Sequence, residues 1–238
     1  MDNVKNSSYG KIAFLLKLGI AGAVIILAGD LLMGWGIKDI SKTGIEYQLS
    51  QYLTLSDARM FRAAVFGFTR VPLAVLGHLG IYKLLKPYSQ KYSRMYAAGI
   101  VGFLAFGGAG VHVSSVEAAF FYKYMTKIGA EEALALTVKF ASYFLLPLYV
   151  ILLTGWFIMV YAHIRAVIGN LSPYPRWFWV FSMPAGSLIF SLVGLFGNSE
   201  IVNAIMVGAF SLGNIWTLSG HLWMLNKVRE KYETALSK

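Results

Sequence analysis

Residues 12–35 read IAFLLKLGIAGAVIILAGDLLMGW. About 20 apolar residues in a helix cross the hydrocarbon core of a bilayer, so this stretch is long enough to span one. It also carries a carboxylate, Asp30, close to its end. A charge in hydrocarbon is costly unless it is paired, hydrated or put to use. The combination recurs down the chain, because Arg70, His112, Glu117, His163 and His221 all lie in or beside long apolar segments.

The whole chain has the same character. Of its 238 residues 57% are hydrophobic and only 13% charged, with a mean hydropathy of +0.61. Soluble domains are about 25% charged, so there are too few charges here to cover a water-facing surface. The length suits one all-α polytopic bundle, a single transmembrane domain over 1–238. The absence of cysteine excludes disulfides, thiolate-held metals, cysteine nucleophiles and cysteine-ligated iron–sulfur clusters. The net charge of +10 falls in short loops, which is the pattern of membrane orientation and not of nucleic-acid binding. The first apolar run has no small-residue cleavage site and exceeds a signal-peptide core, so it is expected to be a retained helix.

The hydropathy pattern predicts six spans, at about 12–36, 59–85, 95–122, 134–166, 176–197 and 201–226. Basic residues then set the orientation. Lys5 and Lys11, then Lys83, Lys86, Lys91 and Arg94, then Arg165 and Arg176, then Lys227, Arg229, Lys231 and Lys238 share one side if there are six spans. The opposite loops mix Lys38, Asp39, Lys42, Glu46, Asp57 and Arg59 in the first, Lys123, Lys127, Glu131 and Glu132 in the second, and leave Glu200 alone in the third. The positive-inside rule puts both termini in the cytoplasm of a bacterial-type cell membrane. In the outer loop 40–56, Ile45, Leu49, Tyr52 and Leu53 make one apolar helical face, as an interfacial helix would. Ser56 or Asp57 is placed to cap the second span. Trp177 and Trp179 fit an interfacial aromatic belt, and Pro72, Pro147 and Pro184 are candidate kinks inside spans.

This topology sorts the polar residues by depth. Asp30, Arg62, Arg70, His112 and Glu117 fall in the outer half, on three consecutive spans. They are candidates for an ion-paired cluster: His112, Asp30 and Glu117 as catalytic acid–base groups, and Arg70 and Arg62 as binders of an anionic head group. Structural pairing alone, Asp30 with Arg70 or Glu117 with Arg62, is the alternative. His112 and Glu117 stand five residues apart, about 140° around a helix, so they do not share a face. Gly107, Gly108 and Gly110 in the third span allow close backbone approach and make that helix central.

His78, His163 and His221 end at comparable depth near the inner side, where three imidazoles are candidates to bind zinc, or two to ligate a b-type haem. Six spans with four histidines resembles the cytochrome b561 family, which implies one haem-binding pair at each face; three inner histidines and one outer leave one pair at most. Three histidines also resemble the membrane hydrolases that include alkaline ceramidases and adiponectin-type receptors, which implies zinc with an Asp and a Ser. Here Ala74 stands one turn before His78. Nucleophile-elbow, phosphate-loop and dinucleotide motifs are absent.

The leading expectation is therefore a membrane-embedded enzyme acting on a lipid or other apolar substrate. A small-molecule or ion transporter, a haem electron carrier, and a structural or immunity subunit are the alternatives. Single cysteines introduced into this cysteine-free chain test the topology. Lys42→Cys and Glu200→Cys should react with an impermeant maleimide on intact cells, and Lys91→Cys and Arg176→Cys only after permeabilisation; the reverse pattern refutes it.

Overall fold

Along the first apolar run, Ile12, Leu16, Gly19, Ala23, Ile26 and Met33 are buried. They are spaced alternately four and three residues apart, apart from one missing place, which Asp30 fills. A repeat of 3.5 residues is the seam of a helix packed nearly parallel to a partner. In the computed structural model, which describes residues 2–236 and side chains from Tyr9 onward, this run belongs to helix α1 (Asp2–Gly34). Lys238 and the side chain of Lys5, both used above for orientation, lie outside the described residues.

The partner of α1 is α3 (Asp57–Leu85), whose buried positions Met60, Ala63, Gly67, Val71, Ala74, His78, Ile81 and Leu85 repeat in the same way. Missing side chains set how closely the two approach. A Cβ on Gly19 would lie 2.4 Å from the Cα of Gly77, and one on Gly22 2.5 Å from the amide nitrogen of Ala74. Ser56 caps α3, its hydroxyl accepting from the Arg59 amide at 3.4 Å. Between α1 and α3, the connecting-loop helix α2 spans Gly44–Ser50.

The third apolar segment is one rod made of α4 (Gln90–Phe106), a single π turn (Gly107–His112) and α5 (Val113–Lys127). Beyond it come α6 (Ala133–Phe144) and α7 (Leu146–Ile168), separated at Leu145. Pro147 sits in the first turn of α7, where its missing N–H and its ring interrupt a continuous helix. The region 176–197 is built of short pieces: a 3-10 helix Arg176–Phe181, α8 (Met183–Ser191) and a second 3-10 helix Leu192–Phe196. Then α9 (Glu200–Val207) and α10 (Ala209–Leu225) meet at a 60° bend at Gly208, and α11 (Arg229–Leu236) comes last.

Helix α8 packs on α10, α10 on α1, α1 on α3, α3 on α4, and α4 on α7; the 3-10 helix Arg176–Phe181 returns to α7. Glycines again admit neighbours. Gly99 on α4 faces the Gly155 carbonyl and Met159 of α7, and Gly213 on α10 faces Ser187 of α8. The α1 end is tied to α9 by the Trp35 indole, donating to Glu200 at 2.8 Å, and by the Asn203 amide, donating to the Gly36 carbonyl at 2.7 Å.

The described residues are helical with no strand. Among the described residues, four helical rods are long and apolar enough to cross a membrane: Tyr9–Gly34, Asp57–Leu85, Gln90–Lys127 and Leu146–Ile168; the bent pair α9–α10, taken as one span, makes five. The fourth expected span, 134–166, is thus two helices, and the fifth and sixth are broken into shorter ones. Gly19→Val should lower the unfolding midpoint in detergent by the equivalent of about 1–3 kcal/mol, whereas Gly10→Ala, with nothing within 4 Å of the added carbon, should not; equal effects would contradict the α1–α3 packing.

Candidate functional site

Asp30 faces into the bundle one turn from the end of α1, and two other elements meet it directly, with a third behind them. The Ser211 hydroxyl of α10 donates to its Oδ2 at 2.5 Å. Its Oδ1 lies 3.5 Å from Nδ1 of His112, with side-chain exposures of only 14% and 15% for the two residues. The other ring nitrogen of His112, Nε2, is 2.9 Å from the Ala63 carbonyl of α3, to which it donates. Both edges of the imidazole are therefore committed, and the carboxylate receives two polar partners.

Two sequence features bring His112 there. The π turn adds a residue to the helical repeat, which rotates the next helix, α5, relative to a plain α-helical continuation. Gly67 then leaves the hole that the ring fills: a Cβ at that position would lie 2.0 Å from His112 Cδ2. Gly108 assists by bringing the turn onto α3, where an added Cβ would be 3.2 Å from the Cβ of Val71.

Asp30, His112 and Ser211 line a half-open cavity of about 290 Å³ between α1, the π turn, α7 and α10. Its walls are mainly apolar, including Ile26, Phe103, Leu152 and Phe210, and Asn214 contributes a second polar point. At the rim stand Tyr149, 44% exposed, and exposed Ser115, so the mouth lies on the flank of the bundle.

The expected five-residue cluster is not assembled. Arg62 and Arg70 are exposed on the outer surface of α3 and line neither this cavity nor the larger groove beside α5. Among the described residues neither forms an ion pair with Asp30 or Glu117. The α3 positions that reach the Asp30–His112 pair are Ala63, through its carbonyl, and Gly67, through its missing side chain, whereas both arginine side chains are exposed. Glu117 is exposed on the other side of α5 from His112, as their five-residue spacing requires, and belongs to that larger groove.

The inner histidines do not converge either. His78 is hydrogen-bonded at both nitrogens, to the Tyr96 hydroxyl at 2.8 Å and to Asn214 Oδ1 at 2.9 Å. His163 and His221 face each other instead, Nε2 to Nε2 at 3.1 Å, and the Tyr174 hydroxyl is 2.8 Å from His221 Nδ1. That separation leaves no space for a porphyrin between the two rings. Among the described residues no group of three or more His, Cys, Asp or Glu side chains is arranged to hold a metal. The arrangements implied by the haem-pair and zinc-hydrolase resemblances are thus not formed.

Ser211, Asn214, Tyr96 and Tyr174 escaped the sequence reading. A signal existed for two of them: Ser211, Asn214 and His221 are spaced three and seven apart, one face of a helix. Tyr174, wholly buried between Pro173 and Pro175, carries no such periodicity, because it enters the bundle from a loop. Its ring stacks on Phe178 at 4.1 Å between centroids.

Described residues that are all helical or connecting, with four or five segments able to cross a membrane wrapped round a half-buried acid–imidazole pair, have the architecture of a membrane protein. The chain belongs to a family of unknown function (DUF6796), which it matches over residues 1–228. No curated protein and no solved structure matches the chain.

The fit of His112 into the Gly67 hole is directly testable. Gly67→Ala should destabilise the protein by about 1–3 kcal/mol, and the penalty should largely disappear in a His112→Ala background, where the ring is gone. An equal penalty in both backgrounds would contradict the placement of His112.

Proposed function

We propose that this chain is a six-crossing protein of a bacterial-type cell membrane, with cytoplasmic termini, that admits a small apolar or amphipathic molecule from the bilayer and transforms it by proton exchange with Asp30 and His112. The observation that carries this reading is the carboxylate and imidazole 3.5 Å apart in the wall of a flank-opening, largely apolar cavity. Ligand pockets of this kind combine apolar walls with a few convergent polar groups. Support for six crossings comes from the short pieces between Arg176 and Phe196. Because a 3-10 helix rises about 2.0 Å per residue, those pieces end to end reach about 35 Å, enough for a bilayer core.

In the proposed reaction a proton moves between the substrate and the Asp30–His112 pair. The Ser211 hydroxyl and His112 Nδ1 hold the carboxylate in place, and the Ala63 carbonyl fixes the ring by accepting from Nε2. General acid–base catalysis of this type contributes about 10²–10⁴-fold in rate. A serine-nucleophile mechanism fits poorly, since Ser211 donates to Asp30 and not to the imidazole. Nor does the site favour an anionic head group, because Arg62 and Arg70 are outside it.

Proton-coupled transport of the same ligand is a second reading. The observation favouring it is Asn214, which lines the cavity and is bonded to His78, itself bonded to Tyr96, so that polar contacts continue from the cavity floor into the bundle.

Wild-type protein in nanodiscs of host lipid, assayed by mass spectrometry, should convert at least one apolar species. Asp30→Asn and His112→Ala should each slow that conversion by about 10²-fold or more with the fold retained. Loss of pH-driven uptake into vesicles without any conversion would favour transport. Unchanged behaviour of both variants in both assays would refute a functional role for the pair.

A further inference from the structure

A second, larger cavity lies on the opposite side of α5. It is a groove of about 720 Å³ between α3, α5 and α6. Its walls are aromatic: Phe61, Phe120, Phe121, Tyr124, Phe140 and Phe144 all line it. Phe121 stacks on Phe140 at 5.2 Å between centroids, and Phe120 packs at a tilt against Tyr124 at 4.5 Å. Phe61 and Phe144 are 70% and 59% exposed, so the groove opens outward along the apolar flank of the bundle.

Two carboxyl groups line this groove, and they differ. Asp57, at its end, is already engaged by Lys123 Nζ and by the Tyr124 hydroxyl, each at 2.6 Å. Glu117 sits within one of the four membrane-capable rods, and among the described residues no cationic side chain lies within ion-pair distance of it. Glu117 is exposed on the groove wall, so its carboxylate is open to a cationic ligand. Aromatic faces, in turn, attract a cation placed over them, more strongly when it is desolvated.

We propose that this groove binds a lipophilic organic ammonium, an alkyl chain ending in a quaternary or protonated amine, with the cationic end at Glu117 and the chain along the phenylalanine wall. The two parts of the site select for both halves of such a molecule. An anion would be repelled by Glu117, and a small hydrated cation would leave the aromatic wall uncovered. The volume lies within the range of cavities that hold drug-sized ligands. The site is separate from the Asp30–His112 cavity and stands whether or not that cavity is catalytic.

The test uses the full chain in a neutral maltoside detergent with a diazirine-bearing alkyltrimethylammonium probe. Photolabelling should be saturable and should map to peptides containing Glu117 or Phe140. Dodecyltrimethylammonium should compete, while dodecanol and dodecyl sulfate should compete at least about tenfold more weakly. Glu117→Gln should weaken labelling to a similar degree, and His112→Ala should leave it unchanged. Repeating the labelling in nanodiscs of phosphatidylethanolamine and of phosphatidylglycerol distinguishes the source: protection only in the former identifies a lipid ammonium headgroup, and none in either a free amphiphile. Equal competition by dodecanol, which requires no variant, would overturn the proposal, as would undiminished labelling of a folded Glu117→Gln protein.

Discussion

Asp30 occupies a place in the α1 seam where every other position is apolar, and the surrounding helices are arranged to receive it. A carboxylate there must find polar partners or destabilise the bundle. Its partners come from two distant parts of the sequence: Ser211 from α10 and His112 from the π turn, the latter held in turn by the Ala63 carbonyl of α3. One side chain thereby joins four elements. The glycines at 67 and 108 act in the same arrangement, since without Gly67 the imidazole would have no room, and a side chain at 108 would crowd Val71 of α3.

The buried histidines at the other end of the bundle obey a related logic. His78, His163 and His221 are nearly or wholly buried, and each forms hydrogen bonds within the protein. Buried polar groups are almost always satisfied in this way. Helix α10 supplies a partner to each level, with Ser211, Asn214 and His221 on one face. That face explains why α10 packs inside the bundle although it is joined to α9 by a 60° bend.

Much of this was legible in the sequence. The apolar lengths, the buried carboxylate in the first run, the cap at Ser56, the short helix between the first two rods and the close approach of the glycine-rich segment all come from local pattern. Failures came where the answer depends on which face of a helix turns inward. Arg62 and Arg70 lie in the half of α3 that packs near Asp30, yet both side chains are exposed and neither reaches it, which approximate depth along a span does not reveal. The histidines share a depth too, yet His78 is taken by Asn214 and Tyr96 before it can meet the other pair. The insertion of Tyr174 from a loop depends on tertiary contacts that no periodicity records. The breaks at Leu145 and Gly208 separate stretches whose hydropathy is continuous.

The most direct test of this account is a double-mutant cycle between Asp30 and His112, read as unfolding free energy of the protein in nanodiscs. If the two residues meet as described, Asp30→Ala and His112→Ala should be coupled by about 0.5–3 kcal/mol, the range for groups in contact. If the effects of the two substitutions simply add, within about 0.5 kcal/mol, the pair is not formed and the site built on it falls.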